Sequence, residues 1–185
     1  MKMLSMRHSG YTLVELMVTV AVLSIIAGVV VPGARGFINH SILTKEINEL
    51  SALARLARFK AMEEQTEVVM CPSSDYTHCI SNWTYPSMAF YDVDGNGERG
   101  TNETLLSSTE KLHSSVKIKA PSQALVFDAR GGANDTTTFT ICDDTSKADK
   151  AVGLIINGYG KIAIAQDSDD DGINENHAGA ALSCS

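Results

Sequence analysis

From Tyr11 to Val31 the chain is almost unbroken apolar sequence. Between Arg7 and Arg35 the only charged residue is Glu15, and from Leu16 to Val31 the only polar side chains are Thr19 and Ser24. About twenty helical residues at 1.5 Å each cross the ~30 Å hydrocarbon core of a bilayer. The pattern therefore predicts a membrane-spanning helix within residues 11–35. Pro32 and Gly33, flanked by Gly28 and Gly36, predict a place where this helix bends or loosens, because proline removes one backbone hydrogen bond. Helical spacing resumes over residues 36–65. Ile47, Leu50, Ala54, Ala57 and Ala61 form one stripe with Leu53 and Leu56 beside it, while Glu46, Arg55, Arg58, Lys60, Glu63 and Glu64 take the polar positions. Such a stripe packs on its own domain and does not indicate a cofactor site.

After Gln65 the period changes. Short β-like runs follow at Glu67–Met70, Met88–Val93, Val116–Lys119, Ala124–Asp128, Thr137–Cys142, Val152–Ile156 and Lys161–Ala165, separated by clusters of Gly, Asn, Asp and Ser. Runs of this length with such punctuation predict an antiparallel sheet or small sandwich. The expected fold is α+β, with a long N-terminal helix whose second half packs on a β-rich head over residues 66–185.

Charge and cysteine usage narrow the function. The net charge of −7 argues against non-specific nucleic-acid binding, which needs Lys and Arg against phosphate. All four cysteines, Cys71, Cys79, Cys142 and Cys184, follow the apolar run, as expected of two disulfides in an oxidising compartment. Three connectivities are possible. Cys71–Cys79 with Cys142–Cys184 is favoured because each joins residues near one another in the chain. A zinc site using Cys79 and His78 is the alternative, and it lacks a C-x-x-C.

The first ten residues are short and basic, with Lys2, Arg7 and His8, and the plausible cleavage point after Gly10 precedes the apolar run. Cleavage there leaves the hydrophobic helix on the mature chain as an anchor, unlike an ordinary secretory signal. A carboxylate at the centre of a membrane helix costs about 2.5–3.5 kcal/mol, and less near its end. Glu15 thus calls for a partner, or else serves as a first-turn glutamate favoured by the helix dipole and snorkelling to the interface. The motif "G-YTLVEL" followed by an apolar helix resembles the leader and N-terminal helix of type IV pilins and type II secretion pseudopilins. The resemblance implies a prepilin peptidase cutting between Gly10 and Tyr11 and methylation of the Tyr11 amine. It also implies that Glu15 meets the N-terminus of an adjacent subunit during assembly. Tyr11 stands where phenylalanine is usual in that family, and methylation of a backbone amine does not depend on the ring.

The head narrows the resemblance. "VVMCPSSDYTHC", then Trp83, then "MAFYDVDGNGERGTNETLL" is similar to the H-type group of minor pilins and pseudopilins, FimT-, FimU- and GspH-like, through about Leu106. This implies a structural subunit that helps initiate or cap a type IV pilus, or an H-type pseudopilin of a type II secretion system. Its partners would be other pilin subunits, prepilin peptidase and the inner membrane, with a periplasmic head before assembly and a place in the filament after it. A DNA-uptake pilin is a third possibility. It is disfavoured because residues 140–185 hold eight acidic residues against three basic ones (Lys147, Lys150, Lys161), a local charge of −5.

No cofactor is required by this reading, and calcium is the one candidate ligand. Asp92, Asp94, Asn96, Gly97 and Glu103 fit D-x-[DN]-x-[DN]-G-x5-E, a spacing that curls oxygens around one cation. The preceding "SMAFY" reads as a strand, so the flanking helices of an EF-hand are absent, and the resemblance to H-type pilins implies that this Asp/Asn/Gly turn is a hairpin. In "DSDDDGINEN", Asp167, Asp169 and Asp171 alternate before Gly172, and Asn174 and Glu175 could add oxygens. The twelfth position is Ala178, so the usual bidentate glutamate is missing. A solvated acidic loop is the competing reading. The sequons at Asn82, Asn102 and Asn134 read as chance. Neither a nucleophile motif, a P-loop nor an H-E-x-x-H occurs, and an enzyme is not expected.

Overall fold

The computed structural model describes residues 10–184, with side chains described outside 29–36. Leu13–Glu64 form one helix, α1. The loosening expected at Pro32–Gly33 does not break it. A proline deletes one bond of the ladder, and the flanking turns keep theirs. The chain divides into two compact units, residues 1–39 and 40–185. In the first, the described residues are the start of α1, and its apolar side chains from Leu13 to Ile26 are exposed.

The second unit holds the rest of α1 and eight strands. These are β1 Glu67–Pro72, β2 Ser87–Asp92, β3 Leu105–Ser108, β4 Val116–Lys119, β5 Leu125–Phe127, β6 Thr137–Asp143, β7 Val152–Ile156 and β8 Ile162–Ile164. They form two four-stranded antiparallel sheets, ordered β3-β2-β1-β5 and β4-β6-β7-β8. The stripe on α1 is the seam between them. Ile47, Leu50, Leu53, Ala54, Ala57 and Ala61 are buried in one cluster with Val68, Met70, Ala89 and Phe127 of the first sheet and Phe139, Ile141, Leu154 and Ile156 of the second. Three alanines with no exposed surface let α1 sit close to both sheets. Trp83, from the β1–β2 connection, meets Phe139 edge-on at 4.7 Å and donates its indole N–H to the Pro121 carbonyl at 2.7 Å.

Glu46 corrects the polar assignment made from the pattern, being only 5% exposed. Leu43, Glu46, Ile47 and Leu50 share one helical face, so the carboxylate enters the packed stripe. Its burial raises its pKa, an effect that Glu49 reinforces and Lys45 opposes.

Both faces of each sheet are covered. Beyond the main core, Val69, Cys71, Met88 and Phe90 pack beneath the loop that ends at Cys79. On the second sheet, Cys142, Ala151, Ala165 and Leu182 pack with Ile155, Ile173 and Cys184, so the C-terminal segment closes that face. Arg58 ties α1 to the sheets by donating from Nε to the Gly131 carbonyl at 2.9 Å. Gly160 (φ +75°) lies against the same carbonyl, where a Cβ would overlap the Gly131 oxygen.

Candidate functional site

Gly10, Tyr11 and Thr12 precede the helix, and Tyr11 is 84% exposed. Thr12 caps α1: its Oγ1 accepts the Glu15 N–H at 3.2 Å, and its carbonyl accepts the Leu16 N–H at 3.2 Å. Glu15 therefore occupies the third helical position, the acidic place in a T-x-x-E cap, beside the positive end of the helix dipole. Glu15 thus lies in the first turn of α1. The Glu15 carboxylate accepts no hydrogen bond and has no ion pair among the described residues. The basic leader residues Lys2, Arg7 and His8 lie outside the described residues. Among the described residues no helix is long and apolar enough to cross a membrane. The apolar run extends beyond Gly28 into Val29, Val30 and Val31, whose side chains are outside that description.

The cysteines form two disulfides, Cys71–Cys79 and Cys142–Cys184, with Cα–Cα distances of 5.6 and 6.0 Å. Cys79 is thus not a thiolate ligand, and His78 is engaged elsewhere, with Nδ1 2.9 Å from Asp75 Oδ2. The hydrogen bond from His78, helped by the Thr77 and His78 backbone N–H groups, holds Asp75 well below the usual carboxylate range. Asp75 in turn raises the His78 pKa.

Each acidic loop gathers its carboxylates. Asp92, Asp94 and Glu103 present oxygens within 4.8 Å of one another, as do Asp167, Asp169, Asp171 and Glu175. The two clusters differ in how those oxygens are satisfied. In the first, Asp92 accepts the Asn96 and Gly97 N–H groups at 3.1 and 2.9 Å. Glu103 accepts those of Val93 and Gly100 at 2.7 and 2.8 Å, and Asp94 accepts the Asn96 N–H and side-chain amide. Every carboxylate oxygen there has a donor, and Asn96 itself caps the Glu98 N–H at 2.7 Å. These residues make a hairpin turn between β2 and β3 that closes on itself.

In the second cluster, Gly172 donates to Asp167 Oδ2 at 2.8 Å, and the Ser168 N–H and hydroxyl both donate to Glu175 Oε2 at 2.7 Å. Asp167 Oδ1 and Glu175 Oε1 are buried without any partner. Glu175 is 8% exposed, and its backbone is fixed by a bridge to Ala181 and by donation to the Gln166 carbonyl at 3.1 Å. The sequence pattern named Glu175 only as a possible extra oxygen. Its burial depends on the C-terminal segment folding back, which the local spacing does not contain.

Comparison with known proteins places these features in a family. Residues 46–160 match the profile described as type II transport protein GspH, and residues 5–31 match the prokaryotic N-terminal methylation motif. A fimbrial protein of Pseudomonas aeruginosa is 29% identical over 91 residues, 49% of this chain and 56% of that protein. The chain thus spans little more than half the length of the curated relatives it matches. The crystal structure of the type IV minor pilin FimU of Pseudomonas aeruginosa aligns with a TM-score of 0.57 at 21% identity, over 80% of this chain and 99% of that one. The minor pseudopilin EpsH of the Vibrio cholerae type II secretion system aligns with a TM-score of 0.50 at 11% identity, over 71% of this chain and 98% of that one. At these identities the two structures speak to the fold, a pilin-like α+β architecture. The profile match spans more than half the sequence, and the chain belongs to the GspH family of type II transport proteins.

Proposed function

We propose that the protein is a minor pilin, a structural subunit that helps initiate or cap a type IV pilus. The observation that carries this reading is the methylation motif joined to a head that aligns with nearly the whole length of a minor pilin. In this account prepilin peptidase cuts between Gly10 and Tyr11, and the new Tyr11 amine is methylated. The apolar half of α1 holds the subunit in the inner membrane with the head in the periplasm. Leu13, Leu16, Val20, Leu23 and Ile26 are all at least half exposed in the single chain, so something else must cover them. Lipid does so before assembly and neighbouring helices after it. Lipid tails are as apolar as these side chains, so packing between helices must supply the net gain on leaving the membrane.

Glu15 sets the register of that exchange. The Thr12 cap satisfies a backbone N–H and leaves the carboxylate available to the methylated amine of an adjacent subunit. A charge left alone in an apolar core is costly, whereas a paired one is tolerated, so only the docking that brings amine to carboxylate is stable.

The test is a gene deletion in the source organism, with major pilin measured in material sheared from the cell surface. A sharp loss restored by the wild-type gene supports the reading, and unchanged surface pilin refutes it. The GspH profile match favours one alternative, a pseudopilin of a type II secretion system. That reading predicts unchanged surface pilin together with loss of secreted protein from the culture medium.

A further inference from the structure

We propose that Asp167, Asp169, Asp171 and Glu175 form a calcium site in the C-terminal segment, independent of the assembly helix. Among the described residues the buried side-chain oxygens without a partner are Asp143 Oδ2, Asp167 Oδ1 and Glu175 Oε1. Two of the three belong to this one cluster, where four carboxylates bring oxygens within 4.8 Å of one another. Buried polar groups in folded proteins are satisfied, so orphaned carboxylate oxygens within a cluster of four carboxylates point to a missing positive partner. None of the four has an ion-pair partner among the described residues.

The donor set selects the ion. All the groups are hard oxygens, with neither imidazole nor thiolate, which excludes the usual zinc and copper sites and leaves calcium, magnesium or manganese. Magnesium keeps most of its water and takes one or two carboxylates, whereas calcium accepts six to eight oxygens in flexible geometry. Four converging carboxylates fit calcium, with water completing the shell.

Glu175 is what separates this loop from a solvated acidic turn. It lies nine positions into the loop counting Asp167 as one, so it can supply a carboxylate that the absent twelfth-position glutamate would otherwise give. Ser168 holds its Oε2 and leaves Oε1 buried without a protein partner, in a carboxylate that lies within 4.8 Å of those of the aspartates. The loop at Asp92–Glu103 has the better sequence motif, yet the carboxylate oxygens of Asp92, Asp94 and Glu103 already have donors. It serves as the internal control.

The position also suggests what the ion does. The site lies between β8 and the end of the chain, in the segment that covers Ala151 and Ala165 and is tied down by Cys142–Cys184 and by Asn174 Nδ2 donating to the Ala151 carbonyl at 3.0 Å. Calcium would offset two of the five negative charges that Asp167, Asp169, Asp170, Asp171 and Glu175 place within nine residues, and lock this flap on the second sheet.

The test is calorimetric titration of the full chain in detergent, stripped of metal, with calcium chloride and separately with magnesium chloride. The proposal expects one saturable calcium site, in the range of about 10⁻⁴–10⁻³ M seen for extracellular modules or tighter, and weaker magnesium binding. Asp169→Asn and Glu175→Gln should each abolish saturation up to about 10 mM calcium, tenfold above that range, and Asp94→Asn should leave it intact. Near-ultraviolet circular dichroism checks that each variant is folded. Asp169 is exposed, so its variant carries the test if Glu175→Gln does not fold. Absence of a saturable site in the wild type, binding that survives both substitutions, or binding lost in Asp94→Asn would each overturn the assignment.

Discussion

The two disulfides should differ in worth, and the difference can be worked from where they fall. Cys71–Cys79 spans 8 residues and Cys142–Cys184 spans 42. If each acts by removing loop-closure entropy from the unfolded chain, the short bridge contributes roughly 2.5 kcal/mol and the long one roughly 4 kcal/mol. Replacing both partners by alanine avoids a leftover thiol, and the small cavities largely cancel, since Cys71 and Cys142 are equally buried. The long bridge also pins the segment that covers Ala151 and Ala165, so its loss exposes further apolar surface. Trp83, the single tryptophan, is 4% exposed and packed on Phe139, so its fluorescence reports unfolding of the head. With a urea dependence of about 2 kcal/mol per molar, the midpoint should fall by about 1.3 M for Cys71→Ala/Cys79→Ala and about 2 M for Cys142→Ala/Cys184→Ala. Equal losses, or a larger one for the short loop, would refute the view that the C-terminal flap is held by its closure.

Three other outcomes follow from particular contacts. Gly160→Ala forces a left-handed backbone on alanine and drives a Cβ into the Gly131 carbonyl, displacing Arg58. A loss of about 3 kcal/mol or more is expected in the same urea assay, against about 1 kcal/mol for Gly95→Ala, whose φ of +73° is similar but whose Cβ would meet open space. Glu46→Gln should stabilise the head at neutral pH. The raised pKa of Glu46 means its charged form is the disfavoured one in the folded state, so wild-type stability is fullest below the ordinary carboxylate pKa and declines as pH rises through the folded value. The gain from Glu46→Gln should therefore vanish in acid, and a gain that persists there would count against burial as the cause. Glu15→Ala should leave membrane insertion and the fold of the head unchanged, as cell fractionation and Trp83 fluorescence would measure, because Glu15 belongs to a separate compact unit and its side chain is exposed.

Much of the fold is legible in the sequence where the pattern is local. The stripe from Ile47 to Ala61 is the buried face of α1, and β4 and β7 begin and end where the β-branched runs do. The misses have physical reasons. β3 is a short edge strand, Leu-Leu-Ser-Ser, that pairs only with β2 and through a register shift at Ala89–Phe90, so it has neither length nor alternation to betray it. Glu46 is hidden because a carboxylate on an apolar face reads as a boundary. The Thr12 cap is written in the sequence as T-x-x-E, at the edge of an apolar run that carries the stronger signal. In the acidic loops the motif spacing is fuller at Asp92–Glu103, yet the crowded aspartates of residues 167–171, which repel one another unless solvated or bound to a cation, make that loop the preferred calcium candidate from sequence. The sequence does not contain the fact that every carboxylate oxygen of Asp92 and Glu103 has a donor while Glu175 Oε1 has none.

The central claim is that the subunit enters a filament through its N-terminal helix, with Glu15 as the group that guides docking. It is tested most directly by quantifying this protein in sheared, purified surface filaments from cells expressing wild type or Glu15→Ala at equal membrane levels. The account predicts that wild type is recovered as a minor component and that Glu15→Ala stays in the membrane fraction. Equal recovery of both in filaments would contradict the role given to Glu15, and absence of both would contradict the pilus itself.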